Sequence, residues 1–301
     1  MRIYLTFQNI KIWLRETRAN FLILSVLLTA IGGAAGWHDG IFSTGLFVLT
    51  VIGVVAAHIS VNLFNEYSDW RTGIDDLTIK TPFSGGSGAL QEGLLKPRKV
   101  LIAAWASLLF AFSIGLGLAW NSGWIILVFM AAGGLTTVFY SDYLTRCTFG
   151  EISSGITLGS MVVAGAYYVQ TGTITPGIIW ASIPPGMLTA LLLFLNEFPD
   201  ADADRTGGRR HLVIVLGKSR AAILYVLSLL VMYLILIAGI LIGKTPAGTI
   251  LGLLTSPLAL MAAYRALRYH SDTPRLIPAL GINVIIVLGT DFLMAIGFII
   301  G

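Results

Sequence analysis

Two five-residue stretches carry most of the chemistry this sequence offers. Asn65-Glu66-Tyr67-Ser68-Asp69 and Asn196-Glu197-Phe198-Pro199-Asp200 both read Asn-Glu-aromatic-x-Asp, and they lie 131 residues apart. An Asn and an Asp four residues apart share one face of a helix. Asp204 repeats the step after Asp200, whereas Asp202 points away from that face. Upstream, Asn62 and His58 extend the first polar face into an otherwise apolar run. Carboxylates stacked on one face repel one another unless a cation sits between them. A few hard oxygen ligands that leave room for substrate phosphates suit Mg²⁺. The paired sets therefore read as a metal and phosphate site.

The neighbouring residues sort around that site. Asp75 and Asp76 follow the first pentad. If the helix continues past Gly73, Asp76 rejoins the face of Asp69; if it breaks there, Asp75 is the candidate. Glu92 and Asp202 read as solvated loop charges. Asp200-Ala-Asp202-Ala-Asp204 imitates the start of an EF-hand loop, but Arg205 stands where Gly is required and His211 where Glu is required. Between the two acidic sites lie the cations Arg71 and Lys80 and the turn Thr81-Pro82-Phe83-Ser84-Gly85-Gly86-Ser87-Gly88. Such a turn can present backbone N–H groups to phosphate oxygens. Arg209 and Arg210 follow Asp204 by five and six residues, and guanidinium groups suit bidentate phosphate contacts. His58 has no second His nearby, so it reads as a cavity-lining or packing residue.

The elements that must position these groups are membrane helices. Of the 301 residues 56% are hydrophobic and only 11% charged, with a mean hydropathy of +0.84. A soluble domain carries about 25% charged residues, so this chain cannot cover a water-facing surface. That excludes a secreted disulfide scaffold, a disordered tail and an ordinary cytosolic enzyme. Cys147 is the single cysteine and cannot form an internal disulfide. The net charge of +4 does not imply nucleic acid, because the basic residues are scattered between apolar stretches.

A spanning helix needs about 20 mostly apolar residues. Nine stretches qualify, roughly at 19–37, 42–65, 99–120, 122–140, 152–171, 177–197, 220–242, 247–266 and 277–300. An amphipathic lead bearing Ile10, Trp13 and Leu14 precedes the first, which is not read as a cleavable signal. Threading the nine in order puts 18 of the 19 basic residues on one side, all but Lys244. The positive-inside rule then places the N-terminus and both long loops in the cytoplasm and the C-terminus outside. Pro184-Pro185 and Pro257 are expected to kink or loosen their helices. The paired pentads suggest a parallel internal repeat, about 19–140 and 150–268, within a single domain spanning 1–301.

These residues resemble the UbiA superfamily of intramembrane prenyltransferases over nearly the whole chain. The most specific elements are Asn65-x3-Asp69 with a further aspartate, and Asn196-x3-Asp200-x3-Asp204 followed by Gly-Arg-Arg. Arg18, Tyr140 and Gly150-Glu151 support it. The Thr81–Gly88 run, and the ending Asn283 to Asp291, resemble the MenA-like (1,4-dihydroxy-2-naphthoate prenyltransferase-like) branch. Gly73 departs from the pattern, standing where many members place the third aspartate. The family pattern then favours Asp75. Asp142-Tyr143 replaces a Pro-Pro pair after Tyr140, and Arg146 is the cation that the resemblance assigns nearby.

The resemblance implies an all-α integral membrane protein. Nine transmembrane helices form a horseshoe around a central cavity, with cytoplasmic cap loops. It also implies an isoprenyl diphosphate bridging two Mg²⁺ ions, held by Asn65, Asp69 and Asp75 on one side and Asn196, Asp200 and Asp204 on the other. Arg18, Arg71, Lys80, Arg146, Arg209 and Arg210 are the diphosphate-binding candidates. Tyr140 either stabilises an allylic cation through its π-face or is an interfacial belt tyrosine. Glu151 either caps its helix or contacts substrate. Asp291, inside the last span, is expected to hydrogen-bond Asn283 or a neighbouring helix. The expected acceptor is an aromatic quinone precursor such as 1,4-dihydroxy-2-naphthoate; the alternatives are 4-hydroxybenzoate, a chlorophyll precursor, haem or a glycerophosphate ether lipid. A secondary transporter would favour carboxylates near the bilayer midplane, and a CDP-alcohol phosphotransferase would need an Asp-Gly-x-x-Ala-Arg element that the chain lacks.

Overall fold

The computed structural model describes residues 2–78 and 80–301, with side chains from residue 8 onward. The side chain of Arg2, counted above among the inside charges, lies outside the described residues. Among the described residues the chain is helical and contains no strand. An amphipathic helix α1 (Arg2–Glu16) leads into α2 (Leu22–His38), α3 (Thr44–Thr72), a single turn α4 (Ile74–Leu77), α5 (Pro97–Ser122) and α6 (Ile125–Phe139). Then come α7 (Gly150–Thr171), α8 (Pro176–Thr206), a short α9 (Leu212–Leu216), α10 (Lys218–Leu241), α11 (Ala247–Tyr269) and α12 (Thr273–Ile300).

Local sequence explains where these helices start. Ser43 accepts a hydrogen bond from the Leu46 amide at the start of α3, Thr175 from Ile178 at α8, and Asp272 from Arg275 at α12. These side chains satisfy amides that a helix start leaves open. Pro97, Pro176 and Pro274 occupy the first turns of α5, α8 and α12, where the missing N–H costs nothing.

Eight helices among the described residues are long and apolar enough to cross a membrane. They fall on eight of the nine expected stretches. The fourth, expected at 122–140, forms the shorter apolar helix α6, whose 15 residues at 1.5 Å per residue reach about 22 Å, less than a roughly 30 Å hydrocarbon core. It is cut short at one end because Gly123, at φ 123°, turns the chain straight out of α5. At the other end it breaks into the turns after Tyr140. α3 and α8 do the opposite. They overrun their apolar stretches by about two turns, to Thr72 and Thr206, so both acidic pentads lie on helix.

One core joins α2, α7, α8, α10, α11 and α12 through Leu28, Ile31, Leu188, Phe198, Tyr225, Met232 and Ile286, all fully buried. α3, α5 and α6 pack in smaller clusters. Only 17% of the most apolar window of α5 is buried, and Leu109 and Phe110 project from it. Apolar surface of that extent suits lipid rather than water.

Tight contact between α7 and α8 depends on glycine. A Cβ on Gly159 would lie 2.7 Å from the Gly186 Cα, and one on Gly186 would lie 2.9 Å from the Gly155 carbonyl. Here α7 widens into a π turn over Gly155–Ser160, and the Ser160 hydroxyl donates to the Ser182 carbonyl at 2.9 Å. The prolines behave accordingly. α8 continues through buried Pro184 and Pro185 against this widened turn. Pro257 sits in the first α-turn after the 3₁₀ segment Ala247–Thr255, so α11 changes pitch there. Asp291 is fully buried, and neither of its oxygens has a hydrogen-bond partner among the described residues. Asn283 instead accepts from the Tyr225 hydroxyl and donates to the Leu191 carbonyl.

Substituting Gly159→Val forces α7 from α8. We expect a loss of about 1–3 kcal/mol, read as a lower thermal unfolding temperature in detergent. Gly133→Ala, which faces open space, should leave that temperature unchanged.

Candidate active site

Gly73 decides the layout of the first acidic group. It ends α3 in the left-handed conformation at φ 70°, which glycine adopts without the Cβ penalty. The chain turns there, and α4 presents Asp75 inward, buried, while Asp76 is exposed. Asp69, two turns or less above the break, faces the same volume. Its Oδ2 accepts from the Asn65 amide at 3.2 Å.

α8 supplies the second group from the opposite wall, and a guanidinium joins the two. Arg209, on the turn after α8, donates to Asp69 and, at 2.8 Å, to Asp204. Burial opposes its charge, but the Asp69 and Asp204 carboxylates outweigh that and hold its pKa above the usual arginine value. Removing one partner of such a buried pair costs about 3–5 kcal/mol, so Arg209 is the tie between α3 and the end of α8. Two oxygens on α8, Asn196 Oδ1 and Asp200 Oδ1, are buried with no hydrogen-bond partner among the described residues.

A second cation closes the other side. Arg18 holds a left-handed backbone, φ 49° and ψ 49°, between α1 and α2. Such a conformation is costly for a residue with a Cβ, and here it aims the guanidinium at Glu66, 2.7 Å away. The Glu66 carboxylate also accepts the Ser87 amide at 2.9 Å, and the Ser87 hydroxyl donates to Glu16 at 2.5 Å. The 80–96 loop is thereby fastened over the cavity. Gln91 adds a bond to Asp75 at 2.9 Å. The glycine turn spends four of its amides on protein acceptors, that of Thr81 on the Ser84 carbonyl, those of Phe83 and Ser84 on the Thr81 hydroxyl and that of Ser87 on Glu66.

The cavity has two compartments. The polar one, about 110 Å³, is lined by Asp69, Asp75, Asp200, Asp204, Arg209 and the Ser84–Gly86 backbone among others. The apolar one, about 340 Å³, lies among α2, α3, α5, α6, α7 and α8, with Leu28, Val54, Leu118, Phe129, Met161 and Leu192 in its wall. Arg18, Asn65, Phe83, Tyr140, Leu193 and Asn196 line both and so form the neck between them. His58 lines the apolar side and shares a hydrogen bond with Ser25 at 2.8 Å; Asn62 donates to the Thr17 carbonyl at 2.8 Å.

Of the residues singled out in the sequence, Arg18, Asn65, Asp69, Asp75, Tyr140, Asn196, Asp200, Asp204 and Arg209 meet in this cavity. Asp76, Arg71, Lys80, Arg146 and Arg210 are exposed and outside its walls. Arg71 is engaged with Asp142 at 2.7 Å, and Arg210 contributes its amide to the Thr145 carbonyl at 2.9 Å. Glu92 and Asp202 are surface charges paired with Arg15 and Lys218. The sequence reading assigned no role to Glu16, Glu66, Gln91, Glu197 or His211. The repetition of Glu beside Asn in both pentads was the available signal for Glu66 and Glu197.

The donor set fits Mg²⁺. Carboxylate and amide oxygens dominate the polar compartment, and Oδ1 of Asn196 and of Asp200 is buried without a hydrogen-bond partner among the described residues. Burial, reinforced by Asp69 and Glu66, pushes Asp75 up to about 7. Such a carboxyl group is short of positive charge.

Comparison with known proteins agrees with this architecture. The family model described as the UbiA prenyltransferase family matches residues 26–280. The chain is 32% identical over 207 residues to the 1,4-dihydroxy-2-naphthoate octaprenyltransferase of Bacillus subtilis (strain 168), covering 66% of this chain and 63% of that protein. It is 25% identical over 299 residues to the 2-carboxy-1,4-naphthoquinone phytyltransferase of Synechocystis sp., covering 96% and 93%. Among solved structures, the apo UbiA homolog from Aeropyrum pernix K1 superposes with a TM-score of 0.71 at 18% identity, covering 93% of this chain and 98% of that one. The UbiA homolog from Archaeoglobus fulgidus bound to GPP and Mg²⁺ gives 0.63 at 14% identity, covering 96% and 100%.

A pH dependence follows from the loop anchor. Burial, against the opposing Ser87 hydrogen bond, pushes Glu16 from 4.5 up to about 7. The folded protein thus holds a proton that the unfolded chain releases in that window, and stability present at low pH is lost as pH rises through about 7. In chelator, the unfolding temperature should fall between about pH 5 and about pH 8, and Glu16→Gln should flatten the fall. An equally steep fall in the variant would remove Glu16 as its source.

Proposed function

The chain belongs to the UbiA prenyltransferase family and is a prenyltransferase, and from that premise we propose that it transfers an isoprenyl group from a polyprenyl diphosphate to an aromatic quinone precursor such as 1,4-dihydroxy-2-naphthoate, releasing diphosphate. The observation that carries the reading is the neck. A carboxylate-lined compartment opens through Tyr140, Asn65 and Asn196 into an apolar one, the shape of an amphiphile with an anionic head and a hydrocarbon tail. The naphthoate and naphthoquinone prenyltransferases among the relatives support this acceptor class. The solved neighbour bound to GPP and Mg²⁺ supports the donor class.

In this reading the diphosphate lies in the polar compartment and the tail in the apolar one, which puts the allylic C1 at the neck. Asn65, Asp69 and Asp75 on one side and Asn196, Asp200 and Asp204 on the other hold two Mg²⁺ ions, with Asp76 left to solvent. Bound Mg²⁺ supplies charge neutralisation for the leaving diphosphate. Arg209 and Arg18 add fixed positive charge beside it. The C1–O bond breaks with its electron pair going to diphosphate. An electron-rich acceptor carbon then bonds to C1 and gives up its proton. Tyr140, at the neck, offers its π-face to the developing cation. The fastened 80–96 loop keeps water away from it. Lys80, Arg71, Arg146 and Arg210 contribute through the field that draws an anion to the site.

The reading extends to topology. α6 joins the eight longer helices as a ninth, short membrane segment of a horseshoe open to lipid, and the loops at 80–96 and 207–217 form the cap. The halves at about 19–140 and 150–268 are parallel repeats. The excess of Lys and Arg places the N-terminus and cap in the cytoplasm and the C-terminus outside.

The test is transfer of label from a radiolabelled prenyl diphosphate to a panel of aromatic acceptors by detergent-purified protein. We expect Mg²⁺-dependent transfer to a dihydroxynaphthoate, abolished by EDTA and reduced at least about 100-fold in Asp69→Ala and Asp200→Ala. A folded protein that neither binds nor cleaves any prenyl diphosphate sinks the reading. Asp75→Asn should impair the reaction as Asp69→Ala does, while Asp76→Asn should keep kcat within about two-fold; the reverse order would move the third ligand to Asp76.

A further inference from the structure

Behind the aspartates lies a separate cluster that the transfer reaction does not use. Glu151 in the first turn of α7, Glu197 on α8 and His211 before α9 each bring one ligand atom within 4.8 Å of the others. Glu151 and His211 are 2% exposed and Glu197 8%.

Glu151 and His211 are each held at one atom, and all three residues have a buried polar atom with no hydrogen-bond partner among the described residues. Glu151 Oε1 accepts the Leu212 amide at 2.7 Å, while Oε2 is buried without a partner. His211 Nε2 faces Asp204 Oδ2 at 3.2 Å. Donation of the Nε2 proton to that carboxylate leaves Nδ1 as a lone pair, the arrangement by which carboxylates orient metal-binding histidines. Nδ1 then faces Glu197 Oε2 at 3.4 Å, and neither atom makes a hydrogen bond. A lone pair turned toward the Glu197 carboxylate, with Glu151 beside it, is repulsive in a buried site unless a cation or a shared proton lies among them.

The matching place in the first pentad is paired differently. There Glu66 has a guanidinium, Arg18, at 2.7 Å. Glu197 has a carboxylate and an imidazole instead. We propose that Glu151, Glu197 and His211 form a site for a borderline divalent transition-metal ion of the Zn²⁺ class, distinct from the Mg²⁺ ligands and serving to clamp the 207–217 cap to α7 and α8. One imidazole with two carboxylates suits Zn²⁺ better than Mg²⁺, which prefers all-oxygen shells. Ligands about 2.1 Å from a tetrahedral centre sit about 3.4 Å apart, the separation seen between His211 and Glu197. Glu197 and His211 also line the polar compartment, so a water molecule there can complete four-coordination.

Co²⁺ serves as a visible stand-in for Zn²⁺. Chelator-stripped full-length protein, saturated with Mg²⁺ to fill the aspartate sites, is titrated with Co²⁺ while d–d absorption and bound cobalt per chain are measured. We expect one Co²⁺ per chain with four-coordinate bands, displaced by Zn²⁺ and not by excess Mg²⁺. Glu151→Gln, which keeps an acceptor for the Leu212 amide, and His211→Gln should weaken Co²⁺ binding at least about 10-fold. Asp200→Ala should leave it within about two-fold, even where prenyl transfer is lost. Zn²⁺ should raise the unfolding temperature of the wild type and not of Glu151→Gln. Absence of stoichiometric Co²⁺ in the wild type, a reading that needs no variant, overturns the proposal: the three groups then share protons. Binding lost in Asp200→Ala but kept in Glu151→Gln overturns it as well, because the ion would then sit among the aspartates.

Discussion

Arg209 is the contact on which the polar end of the bundle depends. Its guanidinium joins Asp69 of α3 to Asp204 of α8, so one cation ties the polar ends of these two helices together. Carboxylates taken out of water are costly unless paired and hydrogen-bonded. This end of the bundle gathers several of them beside an apolar interior. The surrounding structure follows from keeping them supplied with donors. α3 and α8 extend beyond their apolar stretches to carry the acids. Gly73 breaks the helix so that Asp75 turns in. The loop at 80–96 brings the Ser87 amide to Glu66, and the turn after α8 brings Arg209 back over its own helix end.

The same arrangement makes the cavity bipartite. Charged groups can be held only where partners and water reach them, and the apolar walls formed by α2, α3, α5, α6, α7 and α8 provide neither. The transition from one environment to the other is confined to a neck of six residues. A ligand with a polyanionic head and a hydrocarbon tail satisfies both compartments at once. Neither compartment alone distinguishes it from a simple phosphate or a simple lipid.

The two pentads are alike in sequence but not in surroundings. Asn65 and Asn196 both line the neck, whereas Glu66 and Glu197 meet different partners. Glu66 works through a guanidinium from the turn between α1 and α2 and an amide from the first loop. Glu197 meets another acid and an imidazole, with the amide that ties the second loop given to Glu151. The likeness of the pentads thus extends to the Asn and Asp positions that line the polar cavity and not to the contacts of the glutamates between them.

Composition and periodicity were enough to determine a helical membrane protein, because each spanning helix satisfies its own backbone and must be apolar over its length. The four-residue steps of the pentads likewise put Asn65 with Asp69, and Asn196, Asp200 and Asp204 together, since helical neighbours are fixed by local geometry. Tertiary structure decided everything that depends on which side chains meet across elements. Asp75 rather than Asp76 lines the cavity because Gly73 turns the chain. Arg209 enters the polar compartment while its neighbour Arg210 stays outside, a difference of one residue on an irregular turn that no periodicity describes. α6 was read as a full span from its apolar composition, but the turns at both its ends limit it to 15 residues. Glu16, Glu66 and His211 could not be distinguished in the sequence from solvated charges, because burial and partners come from segments distant along the chain.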